Sequence, residues 1–107
     1  KNPYTTYKEA FDLMQQNEFL ASAVKFCEAE NLFNEINYSA KSALMCSYNY
    51  YIISFYTEAK ENLKRFMQRY PVDSNIEYAN YLNIVCNICA YSMDNRWNYR
   101  VCKRFLR

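Results

Sequence analysis

Cysteines are the most reactive side chains of this chain, which has five of them. Cys86 and Cys89 have the C-x-x-C spacing of zinc and redox sites. Both lie in an apolar run, residues 82–93, and no second pair at that spacing supplies further zinc ligands. Buried structural thiols fit this setting better than a metal or redox centre. The odd number of cysteines also argues against a full disulfide framework.

Other catalytic chemistry has little support in the composition. The chain has no histidine, the commonest general base and metal ligand. It has no glycine, which excludes the glycine-rich loops that bind phosphates. Its carboxylates are scattered rather than clustered. We therefore predict no catalytic residue, no metal and no cofactor, and a small helical enzyme is the alternative from another class.

Aromatic side chains are the most distinctive feature, with 12 Tyr, 7 Phe and 1 Trp. A chain of 107 residues buries roughly two-thirds of its unfolded surface, so its core is too small for all of them. Exposed aromatic residues in such number indicate a binding face. The net charge of +2 is too mild to indicate nucleic-acid binding. No apolar run reaches the ~18 residues of a membrane span.

We predict that helices position these side chains, because hairpin-rich β folds depend on glycine in their turns and this chain has none. Asn2 and Pro3 are typical of an N-cap and a first helical position. Pro71 ends a later helix, and Ser74 and Glu77 predict a capping box that starts the next. Apolar spacing predicts six helices, four of them at about 3–16, 19–33, 38–53 and 55–70, a fifth that starts at about 75, and a sixth at about 95–106.

The helical pattern repeats every 37 residues, from Pro3 to Ala40 to Glu77, and fades after Ile88. This period is near the tetratricopeptide length of about 34. We therefore predict one all-α domain of about two and a half to three tetratricopeptide-like repeats, stacked as a curved right-handed solenoid. The predicted repeats are about 3–36, 37–73 and 74–107.

The first helices of the pairs are predicted to line the concave side of this solenoid. Packing is the commoner role of aromatic residues at helical spacing, and Tyr50, Tyr56 and Tyr70 are predicted core residues. Basic residues in 96–107 predict a solvated face, or alternatively a seam to further repeats or an acidic partner. The predicted groove residues are Tyr7, Phe11, Leu44, Tyr48, Tyr51, Tyr78 and Tyr81.

Three sequence patterns carry a family resemblance. Pro3, Tyr7 and Ala10 match an opening Pro-x-x-x-Tyr-x-x-Ala, and "SALMCSYNYY" matches a third-helix pattern. The most specific match is "RFMQRYPVDSNIEYANYL", residues 65–82. Over residues 3–85 the sequence thus resembles the BamD (ComL) family of outer-membrane assembly lipoproteins, although Ile84 replaces a glycine of that family's fifth helix.

The resemblance implies a non-enzymatic role in the outer-membrane β-barrel assembly (BAM) complex. Such proteins are anchored by lipid to the periplasmic face of the outer membrane. They bind the periplasmic domains of the insertase BamA, and other BAM lipoproteins, mainly through C-terminal repeats. The chain would then be the N-terminal half of a longer protein, with the signal peptide and lipidated cysteine upstream of Lys1. No nucleic acid is implied, and the membrane is reached only through the lipid.

The resemblance also implies a ligand for the groove, namely the C-terminal targeting strand of unfolded outer-membrane proteins. Its free carboxylate favours a cation or amide, for which Lys41 and Asn75 are the candidates. Two alternatives stay open within the tetratricopeptide class. One is another periplasmic protein, such as a cell-division coordinator, and the other is a cytoplasmic adaptor, in which reduced cysteines are expected.

Overall fold

A computed structural model describes residues 1–92, and these residues form five α-helices. The all-α prediction is confirmed for this part of the chain. The predicted sixth helix, at about 95–106, lies outside the described residues. The helices are α1 (Pro3–Gln15), α2 (Phe19–Leu32), α3 (Ile36–Ile52), α4 (Tyr56–Arg69) and α5 (Ile76–Ser92).

Local chemistry explains where the first helices begin and end. Asn2 caps α1 as predicted, because its side-chain oxygen accepts a hydrogen bond from the Tyr4 backbone N–H at 2.9 Å. Pro3 takes the first helical position, where its missing N–H costs nothing. The turns that follow α1 and α3 contain Asn17 with φ 62° and Ser54 with φ 66°. Polar residues thus adopt the left-handed conformation that glycine would supply elsewhere.

The start of α5 differs from the prediction. The helix begins at Ile76, so Asn75 rather than Ser74 is the residue before it. Asp73 accepts a hydrogen bond from the Asn75 backbone N–H at 2.8 Å, which forms a local turn. The predicted capping box of Ser74 and Glu77 is therefore wrong, because the Asp73 side chain organises this turn one residue earlier.

The observed helices recur with the period seen in the sequence. α2 and α4 begin at Phe19 and Tyr56, 37 residues apart, and each is 14 residues long. The left-handed turn residues Asn17 and Ser54 have the same separation. Each helix packs on the next along the chain. This arrangement is consistent with tetratricopeptide-like helix pairs, and stacking as a right-handed solenoid stays a prediction.

Two hydrophobic clusters hold the helices together, one among α1, α2 and α3 and one among α3, α4 and α5. Tyr50 packs against both clusters. Ala10 has no exposed surface, and its carbonyl accepts a hydrogen bond from the Ser22 hydroxyl at 2.7 Å. Such small residues let α1 and α2 approach closely. Tyr56 and Tyr70 are buried, which confirms their predicted core position.

Candidate functional site

Three tyrosines on α3 and α5 form an exposed aromatic patch, here named the tyrosine surface: Tyr48, Tyr78 and Tyr81. Tyr78 and Tyr81 are 41% and 52% exposed, and Tyr48 is partly exposed. The ring centroids of Tyr78 and Tyr81 lie 6.4 Å apart. A spacing of three residues puts both rings on one side of α5. Two of the predicted groove residues, Tyr78 and Tyr81, thus lie side by side on α5.

The Tyr78 hydroxyl is partly shielded from water. Burial raises the pKa of Tyr78 above its ordinary value, and the phenols of Tyr48 and Tyr81 raise it further. Their effect arises because ionised phenols repel a phenolate at Tyr78. Tyr78 is therefore a neutral hydroxyl at physiological pH, able to donate and to accept hydrogen bonds.

Two predicted groove residues lie in the core. Leu44 is 7% exposed and Tyr51 is 3% exposed. The Tyr51 ring packs 6.2 Å from Tyr48 on one side and 6.2 Å from Tyr56 of α4 on the other. The structure therefore places Leu44 and Tyr51 in the buried cluster of α3, α4 and α5 and not on an exposed groove lining. Tyr48 packs against this cluster.

The other two aromatic groove residues, Tyr7 and Phe11 of α1, belong to an aromatic cluster that also includes Phe33 after α2 and Tyr38 of α3. The ring centroids of Tyr7 and Phe11 are 5.0 Å apart, and Tyr7 also lies 5.6 Å from Phe33 and 5.6 Å from Tyr38. Both are partly buried. Tyr4 and Tyr38 are the more exposed members of this cluster, at 46% and 38%, and the sequence prediction did not include them.

The two predicted carboxylate contacts, Lys41 and Asn75, are both exposed. Lys41 lies on α3 two turns before Tyr48, and Asn75 directly precedes α5. Their approach to a bound carboxylate stays a prediction. Two surface pockets lie elsewhere, one beside Ile36 and Arg69 and one along α1.

A buried ion cluster that the sequence prediction missed joins α2 to α4, and we name it the Glu30 cluster. The Glu30 side chain has no exposed surface. One carboxylate oxygen accepts from Arg65 at 2.6 Å, and the other accepts from Arg69 at 3.0 Å and from the Tyr70 hydroxyl at 2.8 Å. These three donors offset the cost of removing a carboxylate from water, which amounts to several kcal/mol.

The sequence did contain one signal for this cluster. Arg65, Arg69 and Tyr70 are all part of the block with the most specific family resemblance. Arg65 and Arg69 are four residues apart and so share one side of α4, and Tyr70 directly follows this helix. Glu30 gave no such signal, because a carboxylate next to Asn31 and two residues after Glu28 is typical of a solvated helix position.

Alkaline pH should weaken the fold through Tyr70. Burial raises the pKa of Tyr70 to about 12, and the hydrogen bond and charge of Glu30 contribute, against an ordinary value of 10.0. As the pH rises, the unfolded chain therefore loses the Tyr70 proton before the folded protein does. The contribution of Tyr70 to stability is complete below pH 10.0 and is lost as the pH rises toward about 12. We expect urea midpoints, followed by circular dichroism, to decrease over this window. Tyr70→Phe should show a shallower decrease, and an equal slope in both proteins would contradict the assignment.

The cysteines have separate roles in the described residues. Cys27 and Cys46 form a disulfide that joins α2 to α3, with Cα atoms 5.7 Å apart. The sequence prediction missed it, because 19 residues separate the two and only the packing brings them together. Cys86 is a free buried thiol, and burial raises its pKa to about 11, so it is a weak nucleophile. Cys89 is also buried, and it is disulfide-bonded.

Within residues 1–92, no group of three or more His, Cys, Asp or Glu side chains is placed to hold a metal ion. In the same residues no helix is long and apolar enough to cross a membrane. The helices and the tyrosine surface define an all-helical protein, consistent with tetratricopeptide-like repeats, that exposes aromatic side chains on its surface.

A comparison with family models then identifies the group to which this protein belongs. The model described as "YfiO: Outer membrane lipoprotein" matches residues 1–100. The chain therefore belongs to this family, the BamD/ComL outer-membrane lipoproteins, as the sequence resemblance predicted. The comparison with curated proteins gives no match, and neither does the comparison with solved structures.

Proposed function

We propose that the chain is a non-enzymatic component of the machinery that assembles β-barrel proteins into the outer membrane. Membership of the outer-membrane lipoprotein family supports this role, with a lipid anchor on the periplasmic face. The Cys27–Cys46 disulfide agrees with this location, because disulfides persist in the oxidising periplasm and are rare in the cytosol. The disulfide thereby disfavours the alternative of a cytoplasmic adaptor.

In this role the tyrosine surface binds the C-terminal strand of an unfolded outer-membrane protein. The supporting observations are that the side chains of Tyr78 and Tyr81 are both exposed and that the pKa of Tyr78 is raised, so that its hydroxyl is neutral. An extended peptide presents alternate apolar side chains together with backbone groups that need hydrogen-bond partners. Tyrosine satisfies both needs, because its ring is apolar and its hydroxyl donates and accepts. Lys41 or Asn75 then contacts the terminal carboxylate.

A second part of the proposed role is scaffolding. The periplasmic domains of BamA and the other lipoproteins of the complex are the partners, contacted mainly through the C-terminal repeats of the family. Family membership supports this part, and the tyrosine surface does not depend on it. Peptide binding and complex assembly can therefore be tested separately.

Peptide binding provides the direct test of the tyrosine surface. We expect a fluorescent peptide that copies the last strand of an outer-membrane barrel to bind, measured by fluorescence anisotropy. Removing the terminal aromatic residue should weaken binding. Tyr78→Ala combined with Tyr81→Ala should raise Kd about tenfold or more, because two exposed aromatic anchors are lost. Both residues are exposed, so the fold should persist.

The matched control is Tyr91→Ala, which removes a 76% exposed tyrosine from the same helix. Residues 81 and 91 point to different sides of α5, since ten residues do not complete a whole number of turns. Tyr91→Ala should leave Kd unchanged. Equal binding of a scrambled peptide, or an unchanged Kd in the double variant, would show that the tyrosine surface is not a specific peptide site and that the chain acts chiefly as a scaffold.

A further inference from the structure

The two sulfur atoms of the Cys27–Cys46 disulfide have unequal surroundings. Cys46 on α3 has no exposed surface, whereas Cys27 on α2 is partly exposed. The Arg65 guanidinium lies 3.9 Å from the Cys27 Sγ. The Asn62 side-chain oxygen lies 3.5 Å from the Cys27 Sγ and 3.7 Å from the Cys46 Sγ. Of the pair, only Cys27 is thus both partly exposed and next to a cation.

This asymmetry determines which cysteine reacts first when both are reduced. Exchange requires a thiolate, and a neighbouring arginine stabilises a thiolate while burial in apolar surroundings destabilises it. Arg65 therefore favours the ionised form of Cys27. Cys46 has neither solvent nor access for an incoming sulfur. Cys86, the free thiol, is buried and inert for the same reason.

We propose that Cys27 is the thiol–disulfide exchange site of this protein and that its reactant is an oxidant of the disulfide class. The Cys27 thiolate attacks one sulfur of the oxidant, whose S–S bond breaks as a mixed disulfide forms on Cys27. The departing thiolate takes up a proton. The Cys46 thiol then loses its proton and attacks the Cys27 sulfur, which releases the second thiol. Two protein thiols are oxidised by two electrons, and the oxidant is reduced to two thiols.

The position of the bond gives this reaction a structural consequence. Cys27 and Glu30 lie three residues apart on α2, and both contact Arg65. Formation of the disulfide ties α2 to α3 beside the place where the Glu30 cluster ties α2 to α4. Exchange at Cys27 therefore couples the junction of the first and second helix pairs to the oxidising power of the compartment.

Single-cysteine variants of this pair test the proposal. Cys46→Ala and Cys27→Ala are each reduced and then incubated with glutathione disulfide, and adducts are located by peptide mass mapping. We expect Cys27 to react about tenfold faster or more than Cys46, because only Cys27 has access and a cation. In the Cys46→Ala background, Arg65→Gln should slow the reaction severalfold and Arg65→Lys should not. Equal rates, or faster reaction at Cys46, would overturn the proposal.

A second measurement needs no substitution and so does not depend on the folding of variants. The oxidised wild-type protein is exposed briefly to reduced glutathione, quenched with acid and mapped, while circular dichroism monitors its helices. The first adduct should be on Cys27, with Cys46 released as a thiol. A first adduct on Cys46 contradicts the proposal, as does reduction that begins only after the helical signal is lost.

Discussion

Glu30→Ala should lower the free energy of unfolding by about 3 kcal/mol, because it removes the shared acceptor of a buried ion cluster. The change leaves Arg65, Arg69 and the Tyr70 hydroxyl without the carboxylate that they contact. Breaking a buried ion pair costs about 3–5 kcal/mol. The lower end applies here, because the arginine side chains are 37% and 49% exposed and can turn toward water. Urea unfolding followed by circular dichroism measures the loss.

Two variants separate the effect of burial from that of charge. Glu28→Ala removes another carboxylate from α2, one that pairs with Lys1 at 2.5 Å but is 36% exposed. Its urea midpoint should stay close to that of the wild type, since exposed ion pairs contribute little. Glu30→Gln retains the volume and one acceptor oxygen, so its loss should lie between the two. A Glu28→Ala variant as unstable as Glu30→Ala would show that helix charge, and not the buried cluster, accounts for the loss.

The Glu30 cluster also bears on the tyrosine surface. Arg69 and Tyr70 are at the end of α4, directly before the loop that leads to α5. Through them, Glu30 of α2 fixes the point from which the chain turns into the helix that carries Tyr78 and Tyr81. A residue that binds no ligand thus helps to place the surface that we propose binds the peptide.

Helix positions were predictable from the sequence because their causes are local. The Asn2–Pro3 cap and the repeated spacing of apolar residues act within a few positions, and the structure confirms the helices that they predicted. The core positions of Tyr56 and Tyr70 followed from the same periodicity. Two side chains before α5, those of Asp73 and Ser74, are of types that accept hydrogen bonds from nearby backbone N–H groups. Local sequence rules did not show that the Asp73 side chain would accept this hydrogen bond instead of Ser74.

Features that depend on which helix faces cover one another were not predictable. Leu44 and Tyr81 are equivalent positions in the 37-residue period, yet they are 7% and 52% exposed. The period describes the helix itself, whereas exposure depends on the neighbours that cover each of its faces. The contact between Glu30 and Arg65 spans 35 residues, so no local pattern connects them. A single sequence carries little information about such pairs.

Removing the Cys27–Cys46 disulfide should lower the free energy of unfolding by about 3 kcal/mol, because the bond closes a loop across a separation of 19 residues. For a domain of this size the corresponding decrease in Tm is on the order of 15 °C. We expect this loss for the variant with Cys27→Ala and Cys46→Ala together, measured by thermal and urea unfolding. Cys86→Ala is the matched control, since it removes a buried cysteine that is not part of a bond, and it should cost clearly less.

Adding a reductant distinguishes the covalent bond from the packing of the two side chains. The reductant should destabilise the wild type at least as much as the double substitution does, because Cys89 is disulfide-bonded as well. Any effect of reductant on the double variant then reports that second bond alone. If the double variant is as stable as the wild type, then the unfolded chain gains no freedom when the bond is lost. Such a chain would retain contacts between α2 and α3 after unfolding, and its stability would not depend on an oxidising compartment.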